Sequence, residues 1–214
     1  MDTLLHYDRE LFYAINHGLN HPLLTPVMRF FTDLGLGWVQ LLMVLGATLV
    51  ALGRVRRSGM LSLTRASSPW RVIFAPALLA FVGSGLTVQL LKRTVPRLRP
   101  SNLPDALVAP DERIFYNSFP SGHTATAFAL AFWLFMLVRG TRYRFWGYGA
   151  LVVAGLVGLS RIYRGLHYPS DVLVGALIGV LWGAIAYFTL SARRALPPPV
   201  AESASDSASA SPRG

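Results

Sequence analysis
The chain contains no cysteine, one lysine (Lys92) and few acids. Without cysteine there is neither a disulfide framework nor a thiolate metal site. Charged residues make up only 14% of the sequence against 53% hydrophobic, too little polar sequence to cover an ordinary soluble domain. Between Glu112 and Glu202 the only acidic residue is Asp171. Residues 1–35 lack the apolar core of a signal peptide. A formal net charge of +10 invites a nucleic-acid reading. The position of that charge, in short runs between apolar blocks, argues against it, and no nucleic-acid partner is expected.

The apolar residues are gathered into long blocks. They predict five spanning helices at about 36–53, 72–91, 122–138, 146–163 and 171–190, each near the ~20 residues that cross ~30 Å of hydrocarbon. The fold class is therefore all-α, a polytopic membrane helix bundle over 36–190. Ten arginines fall on one side of it. Arg54, Arg56, Arg57, Arg65 and Arg71 follow the first span, Arg139, Arg142 and Arg144 follow the third, and Arg193 and Arg194 follow the fifth. An excess of Lys and Arg marks cytoplasmic loops, and Trp70, Tyr143, Trp146 and Tyr148 sit at belt positions beside them. Segments 92–121 and 164–170 then face outward. Residues 1–35 carry apolar side chains at roughly helical spacing, broken at Asn20-His21-Pro22. They read as two amphipathic helices in the outer interface, or alternatively as a sixth, weakly hydrophobic span. Pro197-Pro198-Pro199 ends the last helix, and the Ala/Ser-rich 191–214 reads as a disordered cytoplasmic tail.

Three strings on the outward side stand out. The first, Lys92 to Pro100, contains Arg93, Arg97 and Arg99, with Pro96 and Pro100 preventing a simple helical continuation. Snorkelling anchors account for one or two cations such as Arg93 and Arg97, but not for a lysine found only here. The second, Pro120-Ser121-Gly122-His123, opens the third span. Ser121 suits an N-cap, Gly122 admits a ligand close to the backbone, and the unpaired N–H groups of a helix start attract anions. The third joins Ser160-Arg161 to His167 and Asp171. Four residues apart, the carboxylate can reach the imidazole, fix its tautomer and leave the other nitrogen free as a nucleophile. Ser121 is a rival nucleophile without a base–carboxylate pair of its own. Ionisable groups at the ends of membrane spans are functional candidates by default.

Taken together, the strings K-x6-R-P, P-S-G-H and S-R-x5-H-x3-D resemble the signature of the type 2 phosphatidic acid phosphatase superfamily of membrane phosphatases. The resemblance implies His167 as a nucleophile that becomes phosphohistidine, Asp171 as its orienting carboxylate and His123 as the general acid. It implies Lys92, Arg99, Ser121, Gly122 and Arg161 as holders of the phosphoryl oxygens. No metal or cofactor is expected, since cations and backbone N–H groups serve the charge that develops in phosphoryl transfer.

A metal-dependent hydrolase using His123, His167 and Asp171 as ligands is the first competing reading. It would set a metal cation among Lys92, Arg99 and Arg161, where like charges repel. A transporter is the second, but the span centres offer only Ser84 and Thr87 as mild polar groups. The expected partners are the bilayer and a membrane lipid phosphate. Leu11-Phe12-Tyr13-Ala14-Ile15-Asn16, His21-Pro22-Leu23-Leu24 and Phe31-Thr32-Asp33 loosely resemble bacterial undecaprenyl-diphosphatases of the bacitracin-resistance type. That likeness implies undecaprenyl diphosphate as substrate and a multi-pass protein of the bacterial inner membrane, its site facing outward. Phosphatidylglycerophosphate or phosphatidate is the alternative substrate. Gly175, Gly179 and Gly183 read as helix packing within the bundle, so no oligomer is indicated.

Overall fold
The computed structural model describes residues 2–57, 68–112 and 114–191. The expected disordered tail from 192 onward, and with it Arg193 and Arg194, lies outside the described residues, as does Arg65. Seven α-helices follow one another among the described residues: α1 (Asp2–Asn16), α2 (Leu24–Leu34), α3 (Gly37–Arg57), α4 (Ala75–Thr94), α5 (Gly122–Val138), α6 (Arg144–Tyr163) and α7 (Pro169–Ala186). Wide π-helical turns lead into α4 at Trp70–Phe74 and continue α7 at Tyr187–Ser191.

Among the described residues, four stretches are long and apolar enough to cross a membrane: Gly37–Arg54, Trp70–Thr94, Arg144–Tyr163 and Pro169–Thr189. The third expected span forms over its expected residues, 122–138, but has only 17, about 25 Å of helix. It lies at the centre, packed on α4, α6 and α7. Large apolar side chains point outward along the other helices, among them Leu86, Leu90, Val152, Leu173, Leu177 and Leu181. That is the surface a helix shows to lipid, and burying such residues cannot be what holds the bundle together.

Close backbone approach does that work instead. A Cβ on Gly175 would lie 2.6 Å from the Ser121 carbonyl oxygen of α5, and one on Gly183 would lie 2.7 Å from that of Ala129. The glycine stripe of α7 is therefore a contact inside the bundle, as expected. Trp182 of α7 adds a hydrogen bond from Nε1 to the Thr87 hydroxyl of α4 at 2.9 Å.

The two N-terminal helices form with a break at 17–23. At 15 and 11 residues each is shorter than a span. Their buried stripes rest on protein: α1 packs on α6 and α7, and α2 on α6. Phe12 and Asn16 are fully buried. The Asn16 amide donates to the carbonyls of Leu107 and Tyr163 at 2.9 and 2.8 Å and accepts the Leu107 N–H at 2.9 Å. One side chain thus ties α1 to both the long 95–121 loop and the end of α6. The site lies where the C-terminal ends of α4 and α6 meet the N-terminal ends of α5 and α7.

Candidate active site
Lys92 stands in the last turn of α4, where the apolar run ends. Its Nζ donates to the carbonyl of Asn117 at 2.8 Å. Arg99 follows on the 95–121 loop and is 6% exposed. Its guanidinium donates to Tyr116 O (2.9 Å), Leu166 O (3.0 Å) and Asn117 O (3.4 Å), and NH1 lies 3.3 Å from His167 Nε2. Asn117 takes a positive φ of 54°, a conformation asparagine tolerates better than most residues, and so aims one carbonyl at both cations. Burial first, and then Arg161, presses the Arg99 pKa down to about 10, so it is still a cation at neutral pH.

The start of α5 follows the cis Phe119–Pro120 bond. Ser121 occupies the N-cap position in an extended conformation, but the expected side-chain cap is not made. Its hydroxyl accepts from Thr124 Oγ1 at 2.9 Å, its N–H donates to the Asp171 carbonyl at 3.0 Å, and the residue is fully buried. Ser121 therefore turns inward as a strut between α5 and α7. Gly122 and His123 turn the other way, onto a cavity of about 360 Å³. Gly35, at the end of α2, leaves room for the imidazole: a Cβ there would lie 2.8 Å from His123 Cδ2.

Arg161 ends α6 and is 3% exposed. Its NH1 donates to Thr32 Oγ1 at 3.2 Å and to both oxygens of Glu112 at 3.2 and 3.0 Å. The turn from α6 to α7 is short, with Gly165 at a φ of 76° close under the Leu107 carbonyl. That turn delivers His167, 2% exposed, to the cavity wall. His167 Nδ1 lies 3.4 Å from Asp171 Oδ2, a long contact. The carboxylate selects a proton on Nδ1 and leaves the Nε2 lone pair as an acceptor that faces Arg99 NH1. Burial, the largest cause, pushes the His167 pKa down to about 3; Asp171 opposes the shift and Arg99 adds to it.

Asp171 is fully buried behind His167. Its Oδ2 also accepts the Tyr168 N–H at 2.9 Å and the Ser118 hydroxyl. Its Oδ1 accepts Arg97 NH1 at 2.6 Å. Of the two cations that membrane anchoring alone could explain, Arg97 turns inward, while Arg93 is exposed. Ser118, Arg97, Glu112 and Thr32 were all missing from the sequence-based site. Each lies far along the chain from its partner, and none belongs to a recognisable spacing.

One cavity thus gathers Lys92, Arg99, Gly122, His123, Arg161 and His167, with Gly35, Gly37, Phe81, Gly85, Val88 and Ile114 forming an apolar side. Ser121 and Asp171 stand outside it. Among the described residues, two buried polar atoms on this cavity, Nε2 of His123 and Nε of Arg161, have no hydrogen-bond partner. Buried polar groups are ordinarily paired, so both atoms are free to meet a ligand's oxygens. Among the described residues no three His, Asp or Glu side chains gather as a metal-ligand set.

Residues 73–195 match the family model described as the PAP2 superfamily. The lipid A 1-phosphatase of Porphyromonas gingivalis is 38% identical over 57% of this chain, a match spanning 25% of that longer protein. The bacitracin transport permease protein BcrC of Bacillus licheniformis is 30% identical, covering 84% of this chain and 79% of its own. The decaprenylphosphoryl-5-phosphoribose phosphatase of Mycobacterium tuberculosis is 34% identical over 83% of this chain and 80% of its own. Among solved structures, Aquifex aeolicus LpxE superposes with a TM-score of 0.62 at 33% identity, covering 84% of this chain and 93% of that one.

Proposed function
The chain belongs to the PAP2 superfamily of membrane lipid phosphatases, and from that premise we propose that it removes the terminal phosphate of undecaprenyl diphosphate through a phosphohistidine on His167. The observation that carries this reading is the pair of unpartnered buried atoms, His123 Nε2 and Arg161 Nε, on a cavity shared with Lys92, Arg99 and His167.

The terminal phosphoryl group binds with its oxygens toward Lys92, Arg99, Arg161 and the backbone N–H groups at the start of α5, which stabilise the charge that spreads over them. Arg161 is already half-committed to Glu112, so a phosphoryl oxygen meets its free Nε–H edge. His167 Nε2 attacks phosphorus, forming an N–P bond as the bridging P–O bond breaks. The departing oxygen of the lipid monophosphate takes a proton from His123. A water molecule then attacks phosphorus, gives its proton to His123, and releases inorganic phosphate as the N–P bond breaks. His167 accumulates positive charge in the first step, and Asp171, acting through Nδ1–H, stabilises it. Ser121, buried and turned inward, serves by holding α5 to α7 rather than by touching phosphate. Charge stabilisation by three side-chain cations makes the reaction independent of a divalent metal, and chelation is expected to leave activity nearly intact.

The substrate choice is supported by the apolar side of the cavity and by two relatives that align along most of the chain, one named for bacitracin transport and one for a decaprenyl-linked phosphate. The outward orientation is supported by the arginines at the opposite end of the bundle, among them Arg54, Arg71, Arg139, Arg142 and Arg144. A panel of lipid phosphates assayed with purified protein in detergent tests the reading. Fast turnover of the isoprenoid diphosphate is expected, and overproduction in cells is expected to raise bacitracin tolerance, because more carrier lipid escapes sequestration as the diphosphate. Rapid turnover of phosphatidylglycerophosphate with none of the isoprenoid would move the substrate to phospholipid.

A further inference from the structure
The family match begins at residue 73, yet a carboxylate from the first helix reaches the site. Asp8 of α1 accepts three hydrogen bonds. Oδ1 takes the Ser170 N–H at 2.9 Å, and Oδ2 takes the Ser170 hydroxyl and Arg97 NH2, both at 2.6 Å. The other arm of the same guanidinium, NH1, donates to Asp171 Oδ1 at 2.6 Å and to the Ser170 hydroxyl at 2.7 Å. Arg97 lies over the Tyr168 ring, 4.2 Å from its centroid. Asp8 and Arg97 side chains are only 10% and 19% exposed. The result is a continuous chain of groups, Asp8–Arg97–Asp171–His167, running from an N-terminal helix to the nucleophile. Phe12, one turn further along α1, packs edge-on against Tyr168 at 5.7 Å between centroids and keeps the helix seated.

We infer that Asp8 is a positioning residue for the hydrolysis: by holding Arg97 it fixes the Asp171 carboxylate against His167, which makes α1 part of the catalytic unit. The geometry gives two reasons. Arg97 occupies Oδ1 of Asp171 and so sets the carboxylate plane, leaving Oδ2 as the oxygen that faces the imidazole. A long, flexible arginine at the end of a membrane span would otherwise extend toward headgroup phosphates; Asp8 holds its second arm inside. Charge is the other reason. A guanidinium bound to Asp171 alone would offset the negative charge that His167 needs as it becomes cationic. A second carboxylate on that guanidinium returns the group of three to a net negative charge, and in a partly desolvated setting such charges are weakly screened.

A structural staple alone would show itself in stability and leave the chemistry untouched, so the test reads kinetics. It rests on the His167 reading and carries His167→Ala alongside as its control. The full chain in detergent is given a short-chain isoprenoid diphosphate labelled in its terminal phosphate, and both phosphoenzyme formation and steady-state turnover are followed. Asp8→Asn keeps the shape and removes the charge. It is expected to lower kcat and the rate of phosphoenzyme formation by about 10-fold to 100-fold, the range seen when partners that orient a functional ligand are removed, with KM within about twofold because Asp8 does not line the cavity. Asp8→Glu is expected to restore part of the loss. Arg97→Lys, which replaces the two-armed guanidinium with a single nitrogen, is expected to reproduce it. In an Asp171→Asn background Asp8→Asn is expected to cost less than about twofold further, because the two act as one unit. Full kcat in Asp8→Asn with His167→Ala inactive would overturn this inference alone, as would an equal loss in the Asp171→Asn background. Activity in His167→Ala would overturn the site reading and the inference with it.

Discussion
The nucleophile proposed at His167 must keep a lone pair, and burial favours this by pushing its pKa from 6.5 down to about 3. The consequence for stability has a definite sign. Between about pH 3 and 6.5 the unfolded chain binds a proton that the folded site refuses, so this contribution is full above 6.5 and is lost as pH falls through that window. Wild-type protein in detergent is therefore expected to lose more unfolding temperature between pH 7 and pH 5 than His167→Gln, which cannot take up that proton; equal losses would contradict the buried neutral imidazole. Residues of this kind were legible in the sequence because they are rare where they stand: one lysine, one acid in a long stretch, two histidines at span ends. Asp8 and Arg97 were not, since an ion pair 89 residues apart leaves no local pattern. Ser121 was legible as a helix start but not as a buried strut, because the backbone of α7 that takes its N–H lies 50 residues away in sequence.

At the scale of elements, close contact between α5 and α7 sets the geometry of the site, since one helix supplies Gly122 and His123 and the other Asp171. Gly183 lies two turns or more from the chemistry, and a Cβ there would meet Ala129 O at 2.7 Å and Trp133 N at 3.0 Å. Gly183→Ala is expected to destabilise the bundle by about 1–3 kcal/mol through overpacking, read as a lowered unfolding temperature, while kcat per folded molecule is kept. An unchanged unfolding temperature would mean that the two helices are not held as closely as described. Most of these elements could be read from the apolar blocks. The block at 122–138 coincides with α5, and 146–163 begins two residues inside α6. The block at 72–91 stops short of Thr94, because Lys92 and Arg93 are poor lipid residues yet good helix formers. For α1 and α2 the helical spacing was clear while the partner was not. Amphipathic spacing reports that one face is covered, and here Phe12, Asn16, Met28 and Thr32 are buried in the folded chain itself.

For the whole molecule, the proposed orientation of the bundle rests on charge and can be tested directly, since the chain has no native cysteine to give background. Asp105→Cys, at an exposed position of the 95–121 loop, is expected to react with an impermeant thiol reagent in intact cells. Gly140→Cys, in the α5–α6 turn at the other end, is expected to react only after permeabilisation. The reverse pattern would turn the molecule over in the membrane. Trapping the labelled phosphoenzyme by rapid quench shows whether phosphate passes through His167. The expected product is a phosphoramidate, labile in acid and stable in base, that maps to His167 and is absent from His167→Ala. A label that survives acid and maps to Ser121, or full turnover by His167→Ala, would contradict it.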